Sequence, residues 1–122
     1  MIVSALIENK EIAKQYKELL QISYQTLTEK DKKLIRSAFD TAVHAHRNQR
    51  RKSGEPYIYH PISVAKIVAQ EIGLDATSIA AALLHDVVED TEYDFVDLEK
   101  LFGKDVSRIV EGLTKISKLS KE

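Results

Sequence analysis

An all-α bundle of about six helices is the fold class that the sequence predicts, and three observations carry it. Glycine and proline together number only six among 122 residues, so few positions interrupt a helix. Apolar residues recur at intervals of three and four from Ile12 to Leu113. The periodic segments are bounded by residues that start or stop helices, among them Thr28, Asp75, Asp94 and Gly103. A chain of this length makes one domain and buries roughly two-thirds of its unfolded surface in a single core. With 43% hydrophobic and 30% charged residues it is neither disordered nor fibrous.

The first helix is read from Glu11 to Tyr24, on the spacing of Ile12, Tyr16, Leu19 and Leu20, after a mobile start. Residues 1–26 form a helical extension to the body of the domain at 27–122. Thr28 and Asp31 resemble a capping box that opens a second helix, with Leu34, Ile35, Ala38, Phe39, Ala42 and Val43 inward and an end near Asn48. His44 and His46 lie in its last turn, where imidazoles interact with the helix dipole. His46 is also close enough to the following loop to orient it. From Arg47 to His60 the pattern is lost. Arg47, Arg50, Arg51 and Lys52 crowd before Ser53-Gly54-Glu55-Pro56, giving a basic turn suited to phosphate.

Pro61 is placed as the first residue of a third helix that runs to Gly73, which puts His60 at or beside its N-cap. A fourth helix is capped by Asp75 and continues to Thr91. Asp94 caps a short fifth helix ended by Gly103, and a sixth follows from Lys104 with Val106, Ile109, Val110 and Leu113 inward.

In the fourth helix the apolar run Ala80-Ala81-Ala82-Leu83-Leu84 passes without a break into His85-Asp86-Val87-Val88-Glu89-Asp90. At 100° per residue, His85, Glu89, Asp86 and Asp90 share one face, which is apolar one turn earlier. The carboxylates therefore point into the protein, where a counter-ion is needed to offset their desolvation. His60, brought back by a helical hairpin, can meet His85 and Asp86 as a divalent metal's ligands. With a basic loop just upstream, the constellation suggests metal-assisted hydrolysis of a phosphate ester, Glu89 or Asp90 relaying the proton.

Other chemistries have little support. There are no cysteines, which removes disulfides, zinc thiolates and cysteine nucleophiles and is compatible with a reducing cytoplasm. P-loop and Rossmann glycine patterns are absent, and no serine lies in a nucleophile turn. A formal net charge of −1 argues against general DNA binding. The N-terminus lacks a signal-peptide core, and no stretch approaches the ~20 apolar residues of a membrane span.

The string Gln49-Arg50-Arg51-Lys52-Ser53-Gly54-Glu55-Pro56-Tyr57-Ile58-Tyr59-His60-Pro61, with Ala82-Leu83-Leu84-His85-Asp86-Val87-Val88-Glu89-Asp90-Thr91 and Gly112-Leu113-Thr114-Lys115, closely resembles the N-terminal HD hydrolase domain of the RelA/SpoT family. The resemblance covers about residues 27–119. It implies an HD-domain helical bundle that removes pyrophosphate from the 3′ position of the alarmones ppGpp and pppGpp, usually with Mn²⁺. By position it makes His60, His85 and Asp86 metal ligands, Glu89 and Asp90 the residues that activate or position water, and Arg51, Lys52 and Ser53 the nucleotide contacts. Family members take a further ligand Asp from helices downstream of the Thr-Lys motif. The expectation is therefore a C-terminally truncated fragment with weak metal binding, little or no turnover and an exposed end prone to self-association. Two alternatives stand beside it: another HD-superfamily nucleotide phosphohydrolase, and a regulatory module that binds alarmone without cleaving it.

Overall fold

A computed structural model describes residues 2–22, 27–72 and 75–121, the side chains of 2–7, 71–72, 90 and 116–121 aside, and seven α-helical segments lie among these described residues. Among the described residues there is no strand, only an isolated bridge between Arg50 and Pro56. The helices are α1 (Ile2–Ile22), α2 (Glu29–Ala45), α3 (Tyr59–Ile67), α4 (Ala76–Leu84), α5 (Val87–Asp90), α6 (Phe95–Phe102) and α7 (Lys104–Lys121).

Capping chemistry sets most of these boundaries. At α2 the Thr28 hydroxyl accepts from the Asp31 amide while the Asp31 carboxylate accepts from the Thr28 amide, each at 3.1 Å. Asp75 accepts from the Ser78 amide at 3.0 Å to start α4. Asp94 and Asp97 repeat the reciprocal box at α6, and Gly103 ends that helix at φ +93°, a conformation L side chains avoid.

Four boundaries differ from the sequence reading. Helix α1 begins at Ile2, so the start expected to be mobile is helical; Tyr24 lies outside the described residues. Helix α2 stops at Ala45 with His46 as its C-cap, three residues before Asn48. Helix α3 starts at Tyr59 because turn bonds from Tyr59 to Pro56 and from His60 to Tyr57 run directly into it. His60 therefore sits within the first turn rather than at the cap, and Pro61 takes a position whose N–H would have no intrahelical partner anyway. Past Ile67 the chain winds into a π-helical turn, Val68–Ile72; Gly73, the expected stop, lies outside the described residues.

The fourth difference shapes the site. The helix expected to run unbroken to Thr91 is interrupted at His85 and Asp86, where the His85 amide turns back to the Ala82 carbonyl at 3.4 Å. Asp86 has φ −98° and ψ −3°, and α5 starts after it at Val87.

Helix α4 is the centre of the bundle, packed against α2, α3 and α7. Ala76 and every residue from Ile79 to Leu84 are buried, as expected of a helix apolar on all sides. Tyr16 and Leu19 of α1 join this same core, as do Ile35 and Phe39 of α2, Ile62 of α3, Leu98 of α6 and Val106 and Val110 of α7. Of the residues expected to face inward on the sixth helix, Val106 and Val110 are buried, Ile109 is partly buried and Leu113 is exposed. No helix among the described residues is long and apolar enough to cross a membrane.

Candidate metal centre

The break after α4 leaves His85 and Asp86 at the end of a buried helix, beside the first turn of α3. There His60 Nε2 lies 3.6 Å from Asp86 Oδ2, and His85 Nε2 lies 3.0 Å from the same oxygen. The two imidazole rings are 5.4 Å apart. One ligand-capable atom from each of the three residues falls within 4.8 Å of the others.

Local hydrogen bonds orient these atoms. His85 Nδ1 is 2.6 Å from the Ala82 carbonyl oxygen, which can only accept, so Nδ1 carries a proton. Nε2 is thereby turned toward Asp86 and His60, where it donates to Asp86 when the ring is protonated and offers a lone pair to a cation when the ring is neutral. Asp86 is 7% exposed and accepts a 2.7 Å hydrogen bond from the Tyr57 hydroxyl.

Electrostatics follow from this packing. Burial disfavours the Asp86 carboxylate, but hydrogen bonds from His85 and Tyr57 and the nearby imidazoles outweigh it and hold its pKa down at about 2. Burial likewise opposes a charged His85, yet bonds to Asp86 and the Ala82 carbonyl, with the charges of Asp86 and Glu89, raise its pKa. At His60 burial prevails and the pKa is lowered, against the attraction of Asp86. Two imidazoles and an ionised carboxylate, oriented and largely shielded from water, are a donor set that fits a divalent ion.

The remaining expected residues are placed less uniformly. Glu89 lies half-buried on α5, one turn beyond Asp86, and its charge reaches His85. Asp90 ends α5, and its side chain is among those not described. Arg51, Lys52 and Ser53 sit on the exposed loop, where they line an open concavity of about 700 Å³ with Arg50, Glu55 and Tyr57. The four cations of this stretch do not act alike. The Arg47 guanidinium donates to the His44 carbonyl at 2.6 Å, and Arg50 grips Glu8 of α1 through two 2.9 Å bonds and the Gly54 carbonyl at 2.7 Å. Arg51 and Lys52 form no ion pair among the described residues.

Sequence reasoning passed over Tyr57 as a site residue. Its signal was its place three residues before His60, which sets the two rings edge to face at 5.9 Å. His46 does orient the loop: its Nδ1 donates to Gln49 Oε1 at 2.6 Å, and its ring packs on that of Tyr57 at 4.7 Å.

A helical bundle that brings a histidine from one helix onto a His-Asp pair closing the next defines a class of metal-centred helical domains. The chain belongs to the HD domain family, which matches residues 38–122. It is 48% identical over 104 residues to the bifunctional (p)ppGpp synthase/hydrolase SpoT of Escherichia coli K12, covering 85% of this chain and 15% of that protein. It is 51% identical over 87 residues to a probable guanosine-3′,5′-bis(diphosphate) 3′-pyrophosphohydrolase of Synechocystis, covering 71% and 11%. It is 49% identical over 85 residues to a GTP pyrophosphokinase of Streptomyces coelicolor, covering 70% and 10%. The chain thus spans 10 to 15% of the length of these relatives, and its motif resemblance to the RelA/SpoT family holds along most of its own length.

Proposed function

We propose that this chain carries the hydrolytic centre of a (p)ppGpp 3′-pyrophosphohydrolase, with residues 27–122 as the N-terminal part of the hydrolase domain, residues 1–26 as an extension from which Tyr16 and Leu19 join its core, and Mn²⁺ as its metal. The observation that supports this most is the meeting of His60, His85 and Asp86 within 4.8 Å, next to a concavity lined by Arg51 and Lys52. The names of relatives decide less, because one of them is named for pyrophosphate transfer to GTP.

When bound, a divalent cation supplies a Lewis acid that polarises a phosphoryl oxygen and lowers the pKa of water nearby. Arg51 and Lys52 hold the anionic groups of the nucleotide, and the Ser53 hydroxyl donates to a phosphate oxygen. Glu89, with Asp90, takes the proton of the attacking water. The water oxygen bonds to the phosphorus next to the ribose 3′ oxygen, that P–O bond breaks, and the 3′ oxygen leaves with a proton to give GDP or GTP and pyrophosphate. The absence of cysteine fits a reducing cytoplasm as the place of reaction.

Incubation with ppGpp and Mn²⁺, followed by anion-exchange separation, tests the reading. We expect slow Mn²⁺-dependent release of pyrophosphate from these 122 residues, faster release when the chain is prolonged by the following helices of the Escherichia coli relative, and none in either form carrying Asp86→Asn. Release undiminished by Asp86→Asn, or a prolonged chain that leaves ppGpp intact, would overturn it.

A further inference from the structure

Tyr57 belongs both to the wall of the loop concavity and to the hydrogen-bonding shell of Asp86, and none of the roles assigned so far uses it. Its hydroxyl donates at 2.7 Å to Oδ2, the carboxylate oxygen that also faces His85 Nε2 at 3.0 Å and His60 Nε2 at 3.6 Å. The donor is itself held from several sides. The Tyr57 amide bonds to the Gln49 carbonyl at 3.0 Å, and its ring lies between those of His46 and His60. His46 is 2% exposed and hydrogen-bonded to Gln49, so this support sits on buried structure rather than on the exposed tip of the loop.

We infer that Tyr57 is a positioning residue for the metal centre: its hydroxyl fixes the rotation of the Asp86 carboxylate, so that Oδ2 stays turned toward the two imidazoles that would hold a cation with it. Groups that hydrogen-bond a metal's ligands orient them and raise affinity, commonly by roughly ten- to hundredfold. The inference rests on the metal reading above and adds one residue and one atom to it. It also makes the Arg51-Lys52 loop and the metal centre a single unit, because Tyr57 closes the base of that loop.

Tyr57→Phe keeps the ring and its packing and removes only the donor. Mn²⁺ titrations followed by electron paramagnetic resonance, on wild type, Tyr57→Phe and the α6 core variant Leu98→Ala, give the discriminating readout. We expect Tyr57→Phe to stay folded by circular dichroism and to bind Mn²⁺ roughly ten- to hundredfold more weakly. Leu98→Ala should lower the melting temperature and leave the affinity of the folded chain unchanged, separating positioning from stability. Wild type and Tyr57→Phe binding alike would overturn the inference alone. Loss of the fold in Tyr57→Phe would overturn it by assigning the hydroxyl to stability. A wild type that binds no Mn²⁺ would overturn the metal reading and the inference together.

Discussion

The rings of His60 and His85 stand 5.4 Å apart with planes inclined at 64°, although one residue lies in the first turn of α3 and the other caps the end of α4. Nothing local imposes that spacing. It is set by the packing of α3 on α4 around buried residues such as Ile62, Ala65, Leu83 and Leu84. Truncating Leu83 to alanine should therefore cost about 2–5 kcal/mol of stability by opening a cavity in the central helix. Chemical denaturation of the wild type and Leu83→Ala checks this, and a loss below about 1 kcal/mol would mean that α4 is not the packing centre.

In metal-free protein the Asp86 carboxyl confers a pH dependence of definite sign. Its folded pKa, about 2, lies below the ordinary value of 3.8, so folding is favoured by the ionised form. The stabilisation, roughly 2 kcal/mol, is complete above about pH 4 and is lost as the pH falls toward 2. His85, with a raised pKa, stabilises below its unfolded value of 6.5 and loses that as the pH rises through its folded value; His60, with a lowered one, acts in the opposite sense. Melting in a chelating buffer between pH 2 and 5 should show the acid limb in the wild type and a shallower one in Asp86→Asn.

Arg50 and Arg51 are neighbours with different tasks, and substitution should separate them. Arg51→Ala removes a charge that faces the concavity and should weaken nucleotide binding by roughly 10- to 100-fold, as expected for a lost charged hydrogen bond. Arg50→Ala releases Glu8 and the Gly54 carbonyl, loosening the loop against α1. Its effect should appear as faster hydrogen exchange at residues 50–56 with a smaller change in affinity. Calorimetric titration with ppGpp and exchange mass spectrometry distinguish the two.

Gly54 turns the loop at φ +93°, and an added Cβ there would meet no atom within 4 Å. The penalty of Gly54→Ala is accordingly one of backbone conformation, about 1 kcal/mol. Because the residue touches the loop and not the metal centre, the KM for the alarmone should rise while kcat stays within about twofold. A drop in kcat with KM unchanged would contradict that assignment.

How much of this was legible beforehand can be argued from particular residues. The all-α class and the caps at Thr28, Asp75 and Asp94 were readable because each depends on residues three or four apart. The break at His85-Asp86 was not: periodicity favoured one continuous helix, and a turn bond within a buried apolar run leaves no mark in composition. The sequence puts His60 at or beside the cap because Pro61 is at home in the first position of a helix, whereas the Pro56–Tyr59 turn starts the helix earlier. The Glu8–Arg50 pair joins residues 42 positions apart and the Tyr57–Asp86 bond residues 29 apart, distances over which pattern carries no signal. The four basic residues of the loop looked equivalent in sequence, and only their partners show that Arg47 and Arg50 are engaged in structure.

In the proposed site His60, His85 and Asp86 together hold one divalent cation. Crystals grown with Mn²⁺ and measured on both sides of the manganese absorption edge test it most directly. A single anomalous peak is expected within bonding distance of Nε2 of His60, Nε2 of His85 and the Asp86 carboxylate. A peak bound elsewhere, or none at saturating Mn²⁺, would contradict it.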